Sequence, residues 1–232
     1  MVKHLEYSHF YKEISVIAKN LLDNEKGITL DLFTSTTDNE HLKFLQPKHI
    51  SQYIRPITLE TNPTVIINSI TKVPDRIHYH ITDSNFGKLF IASTDKGICF
   101  LNFATHTSYS ELRDTFPKAL IINQKTNYHT LTLDYLHEKK INRLPLHVKA
   151  TDFQLQVWNT LCQIPKGQVT TYKHIACAIK KPQASIAVGA SVGKNPIALL
   201  IPCHRVIRSN GVWQGFRWGN SIKASLLRFE LQ

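Results

Sequence analysis

Residues 197–207 read IALLIPCHRVI, a stretch in which a strongly apolar run is followed almost directly by the side chains with the clearest catalytic potential in the chain. The apolar run 197–201 predicts a buried segment. Cys203, His204 and Arg205 follow it, so a thiol emerges from the core beside an imidazole and a guanidinium. Thiolate is the reactive form of cysteine, and cationic neighbours lower the pKa of a thiol from its ordinary value of about 8.5. Cys203 is therefore a candidate activated nucleophile.

Two other interpretations of the same residues, in which Cys203 is not a nucleophile, stay open. Adjacent residues of a strand point to opposite faces, so a contact between Cys203 and His204 needs a turn or a bridging water. Without one, Cys203 is an inert core thiol beside a surface histidine. A metal site is the weaker alternative, because no second Cys or His pair stands at ligand spacing.

The rest of the chain has the composition of an ordinary globular protein. Its 232 residues are 42% hydrophobic and 19% charged, which argues against disorder, collagen-like repeats and coiled coil. No apolar run approaches the roughly 20 residues that span a bilayer, and the N-terminus lacks the apolar core of a signal peptide, so we expect a cytoplasmic protein. The four cysteines are scattered without a C-x-x-C pair, which is neither a disulfide framework nor a zinc pattern.

The charge is concentrated at one end of the chain. The formal net charge is +11, yet residues 1–150 hold 18 basic and 15 acidic side chains, whereas residues 151–232 hold 10 basic and only 2 acidic ones. A polyanion is the natural partner of such a segment, because each neutralised phosphate releases a condensed counterion. Charge alone does not separate DNA from RNA or from an anionic membrane surface.

The chain divides into three predicted regions, which together make an α+β fold. Residues 1–70 are predicted to form a helical N-terminal extension, residues 71–148 a small α/β subdomain, and residues 149–232 a mainly helical domain. The extension carries basic residues such as Lys48 and Arg55. It is either a trimmed DNA-binding module or a docking extension with solvated basic side chains.

The middle region changes to the period of strands. Runs at 77–81, 88–93 and 98–103 are separated by two tight turns, which predicts an antiparallel strand meander. A helix is predicted over residues 108–116. Cys99 lies within the third run and is interpreted as a packed thiol.

The last region returns to helices. Thr151 and Gln154 predict a capping box for the first of them. Two shorter helices follow, one ending near Ile179 and one over residues 183–192 that Pro182 opens, and their tight connection predicts a helix-turn-helix. The second helix is rich in small side chains, which fit either a nucleic-acid groove or a close contact with the protein's own core; the basic neighbours favour DNA. These small residues are Ala184, Ser185, Ala187, Gly189, Ala190 and Ser191.

Several motifs in register resemble the O6-alkylguanine-DNA alkyltransferases, also called methylated-DNA–protein-cysteine methyltransferases. The string 201–207, IPCHRVI, resembles the active-site signature of that family, and the string 215–219, GFRWG, is similar to its bacterial Ada-type branch. Over residues 72–148 the match is weaker, and the meander is similar to the ribonuclease H-like N-terminal subdomain of the family. Further matches in family order are Phe153-Gln154, Val157-Trp158, Ile164-Pro165-Lys166-Gly167, Thr171-Tyr172, Ile175-Ala176, Ala187-Val188-Gly189, Asn195-Pro196 and Leu226-Leu227 with Glu230.

The resemblance implies a DNA repair protein that acts once. A helix-turn-helix would enter the minor groove, the damaged guanine would be flipped out of the stack, and Cys203 would take the alkyl group from guanine O6 as a stable thioether. His204 would draw the thiol proton through a water while Glu230 orients the imidazole. Tyr172 would donate a proton to the departing guanine, and Asn195 would hold the site together. O4-methylthymine is a second substrate under this resemblance, and neither a metal nor an organic cofactor is implied.

The same resemblance implies that the partner is double-stranded DNA carrying O6-alkylguanine, bound by a monomer that has no membrane association. It assigns DNA contacts to Thr171, Gln183, Ala184, Ser185, Ile186, Ala187, Lys194 and Arg205.

Two positions depart from the family pattern. Ile186 stands where an arginine usually fills the gap left by the flipped base, and Phe216 stands where tyrosine is common. An apolar side chain can wedge between bases, but it cannot hydrogen-bond the orphaned partner base. We therefore expect weaker DNA affinity or slower repair of duplex substrates.

Two other functions compete with repair. A non-catalytic protein that binds alkylated bases requires that Ile186 and Phe216 have disabled transfer, because Cys203 is present. A methylation-responsive transcriptional regulator is suggested by residues 46–55, which resemble the end of a degenerate AraC-type helix-turn-helix. That module is truncated, and residues 1–70 contain no cysteine to act as a second acceptor, so regulation is the less favoured hypothesis.

Overall fold

The computed structural model describes residues 46–57 and 64–231 of the chain. Within these two ranges six strands form the main sheet, in the spatial order β1-β6-β4-β3-β2-β5. They are β1 (Val65–Ser69), β2 (Arg76–Ser84), β3 (Gly87–Thr94), β4 (Gly97–Phe103), β5 (Leu120–Asn123) and β6 (Leu144–Val148).

The predicted meander is confirmed, and it forms the centre of a larger mixed sheet. Strands β2, β3 and β4 pair antiparallel, while β5 adds to β2 and β6 joins β4 to β1, all in parallel. Gly97 opens β4 with φ +149°, and a Cβ there would lie 2.4 Å from the carbonyl oxygen of Pro145. Glycine is therefore required where β6 approaches the β3–β4 turn.

The prediction of a helical extension over residues 1–70 is wrong for residues 65–69. Val65–Ser69 form strand β1, because their alternating burial lets Val65 and Ile67 pack into the core while β6 supplies a parallel partner. The main sheet therefore begins before residue 71. The described helical part of the extension consists of α1 (Pro47–Ile50) and a 3₁₀ turn over Ser51–Tyr53. The remaining predictions for residues 1–45 and 58–63 lie outside the described residues.

The other helices of the described chain are α2 (Ser108–Thr115), α3 (Asn127–Leu136), α4 (Asp152–Leu161), α5 (Tyr172–Ala178), α6 (Ser185–Gly193) and α7 (Asn220–Leu231). The capping box of α4 is confirmed, since the Thr151 hydroxyl accepts from the Gln154 amide at 3.2 Å and Gln154 Oε1 accepts from the Thr151 amide at 2.9 Å. Pro182 does not open α6 as predicted. The Ala184 amide donates to the Lys181 carbonyl at 2.9 Å, so this segment is a turn.

The main sheet and the last helices share one core, into which the run 197–201 is buried. A parallel bridge joins Leu101 of β4 to Ile197, and the Ala198 amide donates to the Leu101 carbonyl at 2.7 Å. The sheet thus fixes the segment that leads to Cys203. Cys99 of β4 is packed as predicted, being 2% exposed, and burial raises the pKa of its thiol. Among the described helices none is long and apolar enough to cross a bilayer.

Candidate active site

Cys203 lies at the start of a 3₁₀ turn, Cys203–Arg205, directly after the buried run. The residue is 4% exposed, and its thiol accepts a hydrogen bond from Asn195 Nδ2 at 3.1 Å. The same amide group donates to the Ile201 carbonyl at 2.9 Å, and Asn195 Oδ1 accepts from the Ile197 amide at 2.9 Å. Asn195 is fully buried, so it ties both ends of the run 197–201 to the sulfur atom.

His204 follows Cys203 in the 3₁₀ turn and contacts helix α7 through its imidazole. Its Nε2 lies 2.9 Å from Glu230 Oε1 and donates to this carboxylate. The other ring nitrogen, Nδ1, is buried and has no hydrogen-bond partner among the described residues, which leaves it as the nitrogen with an available lone pair. Burial lowers the pKa of His204 more than Glu230 raises it, so the imidazole is neutral at pH 7.

Arg205 occupies the other side of the same carboxylate. Its Nε donates to Glu230 Oε2 at 2.7 Å and its Nη2 to Oε1 at 2.8 Å, while Nη1 binds the Ile164 carbonyl. Burial would raise the pKa of Glu230, but the charge that His204 carries when protonated at low pH, the charge of Arg205 and the hydrogen bonds of both outweigh it and hold that pKa well below its usual range. Arg205 was predicted to contact DNA. Three of its five donors bind Glu230 and the Ile164 carbonyl, so Arg205 supports the site, and its contact with DNA stays a prediction.

Burial sets the protonation state of the acceptor thiol. It raises the pKa of Cys203 to about 11, against the opposing effects of the Asn195 hydrogen bond and of the Lys223 and Arg217 charges. The expectation of a lowered pKa from His204 and Arg205 is wrong, since both of these side chains are committed to Glu230. The thiol is therefore protonated at neutral pH, and its reaction requires a base.

Lys223 was missed in the sequence. It is 2% exposed, its Nζ donates to the Val206 carbonyl at 2.6 Å, and burial lowers its pKa to about 8. The signal that could have found it is its position in the apolar stretch 222–227 of α7. Lys223 stands seven residues before Glu230, which puts both side chains on one face of the helix.

Tyr172 begins helix α5, where a two-stranded sheet of β7 (Thr170–Thr171) and β8 (Val206–Ile207) joins the helix to the segment after Cys203. Its half-buried ring packs against α6, where a Cβ added at Gly189 would lie 3.8 Å from the ring, an ordinary van der Waals distance. Burial and the nearby Cys203 thiol raise the pKa of Tyr172. Thr171, predicted to contact DNA, is 4% exposed, and its hydroxyl caps α5 by accepting from the His174 amide at 3.1 Å.

Helix α6 uses its small residues on both faces. On the packed face, Val188, Ser191 and Val192 are buried, and the Ser191 carbonyl accepts from Trp158 Nε1 at 2.9 Å. On the opposite face Ile186 is 91% exposed, the highest value among the large apolar side chains of the described chain. Of the other predicted DNA contacts, Gln183, Ala187 and Lys194 are exposed, and Ala184 and Ser185 are half-buried.

The comparisons with known proteins match the parts of the chain that build this site. The model of the 6-O-methylguanine DNA methyltransferase DNA binding domain matches residues 152–232, and that of the ribonuclease-like domain of the same family matches residues 77–146. The inducible methylated-DNA–protein-cysteine methyltransferase of Bacillus subtilis is 40% identical over 155 residues, which cover 64% of this chain and 85% of that protein. The chain belongs to the 6-O-methylguanine DNA methyltransferase family.

Other relatives in this methyltransferase family are longer. The bifunctional transcriptional activator/DNA repair enzyme Ada of Escherichia coli is 37% identical over 164 residues, which cover 67% of this chain but 46% of Ada, so the chain matches about half of that relative's length. The structure of Mycobacterium tuberculosis OGT in complex with DNA has 32% sequence identity and a TM-score of 0.55, and the match covers 66% of this chain and 92% of that one.

Residues 215–219 connect the site to the main sheet. This connection was not predicted from the sequence. Phe216 lies 5.9 Å from Lys223 Nζ and packs edge-on against Trp218 at 5.2 Å. Trp218 Nε1 donates to Asn102 Oδ1 at 2.8 Å. Arg217 donates to the carbonyl of Asn195 at 3.1 Å, so the loop also contacts the residue that binds the thiol.

Proposed function

We propose that the protein is a DNA repair methyltransferase that moves the alkyl group of O6-alkylguanine in double-stranded DNA to its own Cys203. The observation that carries this proposal is the arrangement around one thiol: Asn195 binds the sulfur, and the next residue, His204, is held by Glu230 with its second nitrogen available. O4-methylthymine presents the same kind of alkyl–oxygen bond and is a second substrate.

The DNA contact surface would be the helix pair α5 and α6. Two short helices joined by a turn, with small side chains exposed on the second, have the shape of a helix-turn-helix reader. Residues 151–232 contain ten basic side chains and two acids; Arg205 pairs with Glu230 and Lys223 is buried, which leaves eight basic side chains against Asp152, so the surface of this part is basic. This balance suits phosphate backbone binding by a monomer.

Base flipping is required, because the thiol is nearly fully buried and O6 of a stacked guanine lies inside the duplex. Tyr172 starts α5 directly after β7, which pairs with the strand that follows the Cys203–Arg205 turn, and the Cys203 thiol contributes to the raised pKa of Tyr172. The guanine would therefore enter beside Tyr172. Ile186, nine-tenths exposed on α6, would occupy the gap in the base stack.

The transfer itself is one displacement at the alkyl carbon. The thiol proton passes to His204 Nδ1 through a water, the sulfur–carbon bond forms as the carbon–O6 bond breaks, and guanine leaves with a proton delivered by Tyr172. Glu230 stabilises the imidazolium that forms, in the way a carboxylate supports a catalytic histidine. The thioether product has no simple route back to the thiol, so each molecule reacts once.

Lys223 and Arg217 would lower the cost of forming the thiolate in this buried place, since both charges oppose the effect of burial on the Cys203 pKa. The Phe216 ring, which lies over Lys223, would form a wall of the base pocket. We assign residues 64–148 to a ribonuclease H-like subdomain that supports the site, and residues 149–232 to the catalytic and DNA-binding domain.

A mass measurement tests the proposal. The protein is incubated with a duplex that carries one O6-methylguanine, and the intact mass and tryptic peptides are measured. We expect a gain of roughly 14 Da, one methylene, on Cys203 in at most one copy per molecule. Cys203→Ser abolishes the gain, and the matched control Cys99→Ala, which removes a packed thiol of the sheet, retains it.

Two results would overturn the proposal. Unmodified protein that still binds the lesion identifies a non-catalytic protein that recognises alkylated bases. A methyl group on another cysteine shows that a different thiol is the acceptor.

A further inference from the structure

The segment Gln46–Ile57 is docked on the catalytic domain beside the helix pair. Ile50 is fully buried in a small cluster with Val169, Ile207 and Leu227. This cluster lies under the two-stranded sheet and α7, apart from the main core. Residues 46–57 are thus a fixed part of the surface.

The docking continues into backbone hydrogen bonds. The Val169 amide donates to the Tyr53 carbonyl at 3.2 Å, and the Arg55 amide donates to the Val169 carbonyl at 2.9 Å. Thr170 Oγ1 then donates to the Arg55 carbonyl at 3.1 Å. The segment therefore adds to the edge of β7, the strand that leads into helix α5.

These contacts put Arg55 next to the start of helix α5. His174 Nδ1 lies 3.3 Å from the Arg55 carbonyl and donates to it, so Arg55 touches the residues on both sides of Thr171 and Tyr172. Tyr172 begins α5 directly after β7, and β7 pairs with β8, which follows the Cys203–Arg205 turn, so this end of α5 lies beside the segment that carries the thiol. A duplex that delivers a base past Tyr172 must pass over this end of α5, and Arg55 lies there.

The charge of the segment fits a phosphate backbone. Residues 46–57 contain two permanent cations, Lys48 and Arg55, and no acid. The Arg55 side chain is exposed, and its Nη1 donates to the carbonyls of Gln52 at 2.6 Å and Ile54 at 2.9 Å. These bonds use two of the five donors of the guanidinium and hold its plane in place, which is the preorganisation that a phosphate contact needs.

We propose that Gln46–Ile57 is an extension of the DNA-binding surface in which Arg55 binds a backbone phosphate of the duplex whose base enters the Cys203 site. This inference rests on the proposed function. It makes residues 46–57 part of the same interface as the helix pair, rather than a separate reader of a second DNA site.

The salt dependence of binding tests the proposal. Affinity for a lesion-containing duplex is measured by fluorescence anisotropy between 50 and 200 mM salt, using the full chain. Each phosphate contact contributes about 0.9 to the slope of log affinity against log salt, so Arg55→Gln should reduce the slope by about one and the affinity change over this range by about 3.5-fold. Arg55→Lys should keep the slope, and Lys118→Ala, an exposed cation between α2 and β5, is the matched control that should leave it unchanged.

A second reaction separates this inference from the proposed function. Methyl transfer from free O6-methylguanine base does not use the duplex, so Arg55→Gln should react with the base at the wild-type rate while its reaction with duplex DNA slows at 200 mM salt. An unchanged slope in Arg55→Gln would overturn the inference while repair by the wild type persists. Equal slowing with base and duplex would also overturn it, because it identifies a structural role for Arg55. Failure of wild-type transfer from either substrate overturns the proposed function instead.

Discussion

Replacing Ile186 by arginine tests how the chain fills the space of a flipped base. Ile186 lies on the outer face of α6 with 91% of its surface exposed, so the folded protein loses almost nothing when it is changed. Surface substitutions of this kind alter stability by less than about 0.5 kcal/mol. Any effect of Ile186→Arg on repair therefore reports on the complex with DNA.

The expected gain follows from two opposing contributions. An arginine in the stack can donate to the orphaned base, and a hydrogen bond from a charged group is worth about 1.5 to 3 kcal/mol. The substitution gives up part of the apolar contact of Ile186, although the arginine stem keeps some of it. We expect a net gain near 1.4 kcal/mol, which is about tenfold in affinity for a duplex or in repair rate at low protein concentration.

The assay is the single-turnover rate of methyl transfer, measured with duplex DNA and with free O6-methylguanine base. Ile186→Arg should accelerate the duplex reaction about tenfold and leave the base reaction unchanged. Ala190→Arg, which adds the same charge at an exposed position one turn later on α6, should give a smaller gain. No gain from Ile186→Arg, or equal gains from both variants, would refute the idea that residue 186 enters the base stack.

Three further changes test the interior of the protein. Glu230→Gln leaves the Arg205 guanidinium without its carboxylate and should lower the free energy of unfolding by about 3 to 5 kcal/mol, measured by urea denaturation; a loss under about 1 kcal/mol would contradict the buried ion pair. Lys223→Met removes an ammonium that is charged below about pH 8 and favours the thiolate of Cys203, so the rate of iodoacetamide alkylation of Cys203 at pH 7 should fall; an unchanged rate at pH 7 would show that the ammonium does not act on the sulfur. Burial lowers the pKa of His129 to about 4 from 6.5, so protonation favours the unfolded chain and stability should fall as pH drops from 6.5 toward 4. His129→Gln should remove about 2 to 3 kcal/mol of that fall, and identical pH profiles of the two proteins would rule out this histidine as its source.

The features predicted correctly from the sequence are those fixed by neighbouring residues. The capping box of Thr151 and Gln154 spans three residues, and the turns of the β2–β3–β4 meander are marked by their own polar and glycine residues. Each such signal is complete within a few positions. Such a local signal therefore predicts the structure correctly without knowledge of distant partners in the chain.

Strands β1, β5 and β6 were missed because each is completed by a distant partner. Val65–Ser69 is paired with Leu144–Val148 across nearly 80 positions, and β5 has only four residues. Short apolar runs do not distinguish a strand from a buried helix when the partner is unknown. The same reason explains Pro182, whose local preference for a helix start is overridden by the turn that the Lys181 carbonyl closes.

At the site, residue types were easier to predict than their surroundings. Cys203, His204, Glu230 and Asn195 were named from motifs, and the structure brings them together in two hydrogen-bonded pairs. The role of a basic residue depends on which groups its side chain contacts, and the spacing of a motif does not predict those contacts. Arg205 was predicted only as a DNA contact, and its hydrogen bonds to the buried carboxylate of Glu230 were not foreseen.

The raised pKa of Cys203 is compatible with an acceptor that can be used only once. With a pKa of about 11, about one thiol in ten thousand is ionised at pH 7, and thiolate is the form that oxidants and stray alkylating agents attack. Burial thus protects a residue whose modification ends the life of the molecule. The internal charges around it, Arg205 and Lys223 against Glu230, leave a positive excess that favours the thiolate once a base accepts its proton. Reactivity then depends on proton transfer to His204 when substrate is in place, rather than on a thiol that is ionised at all times.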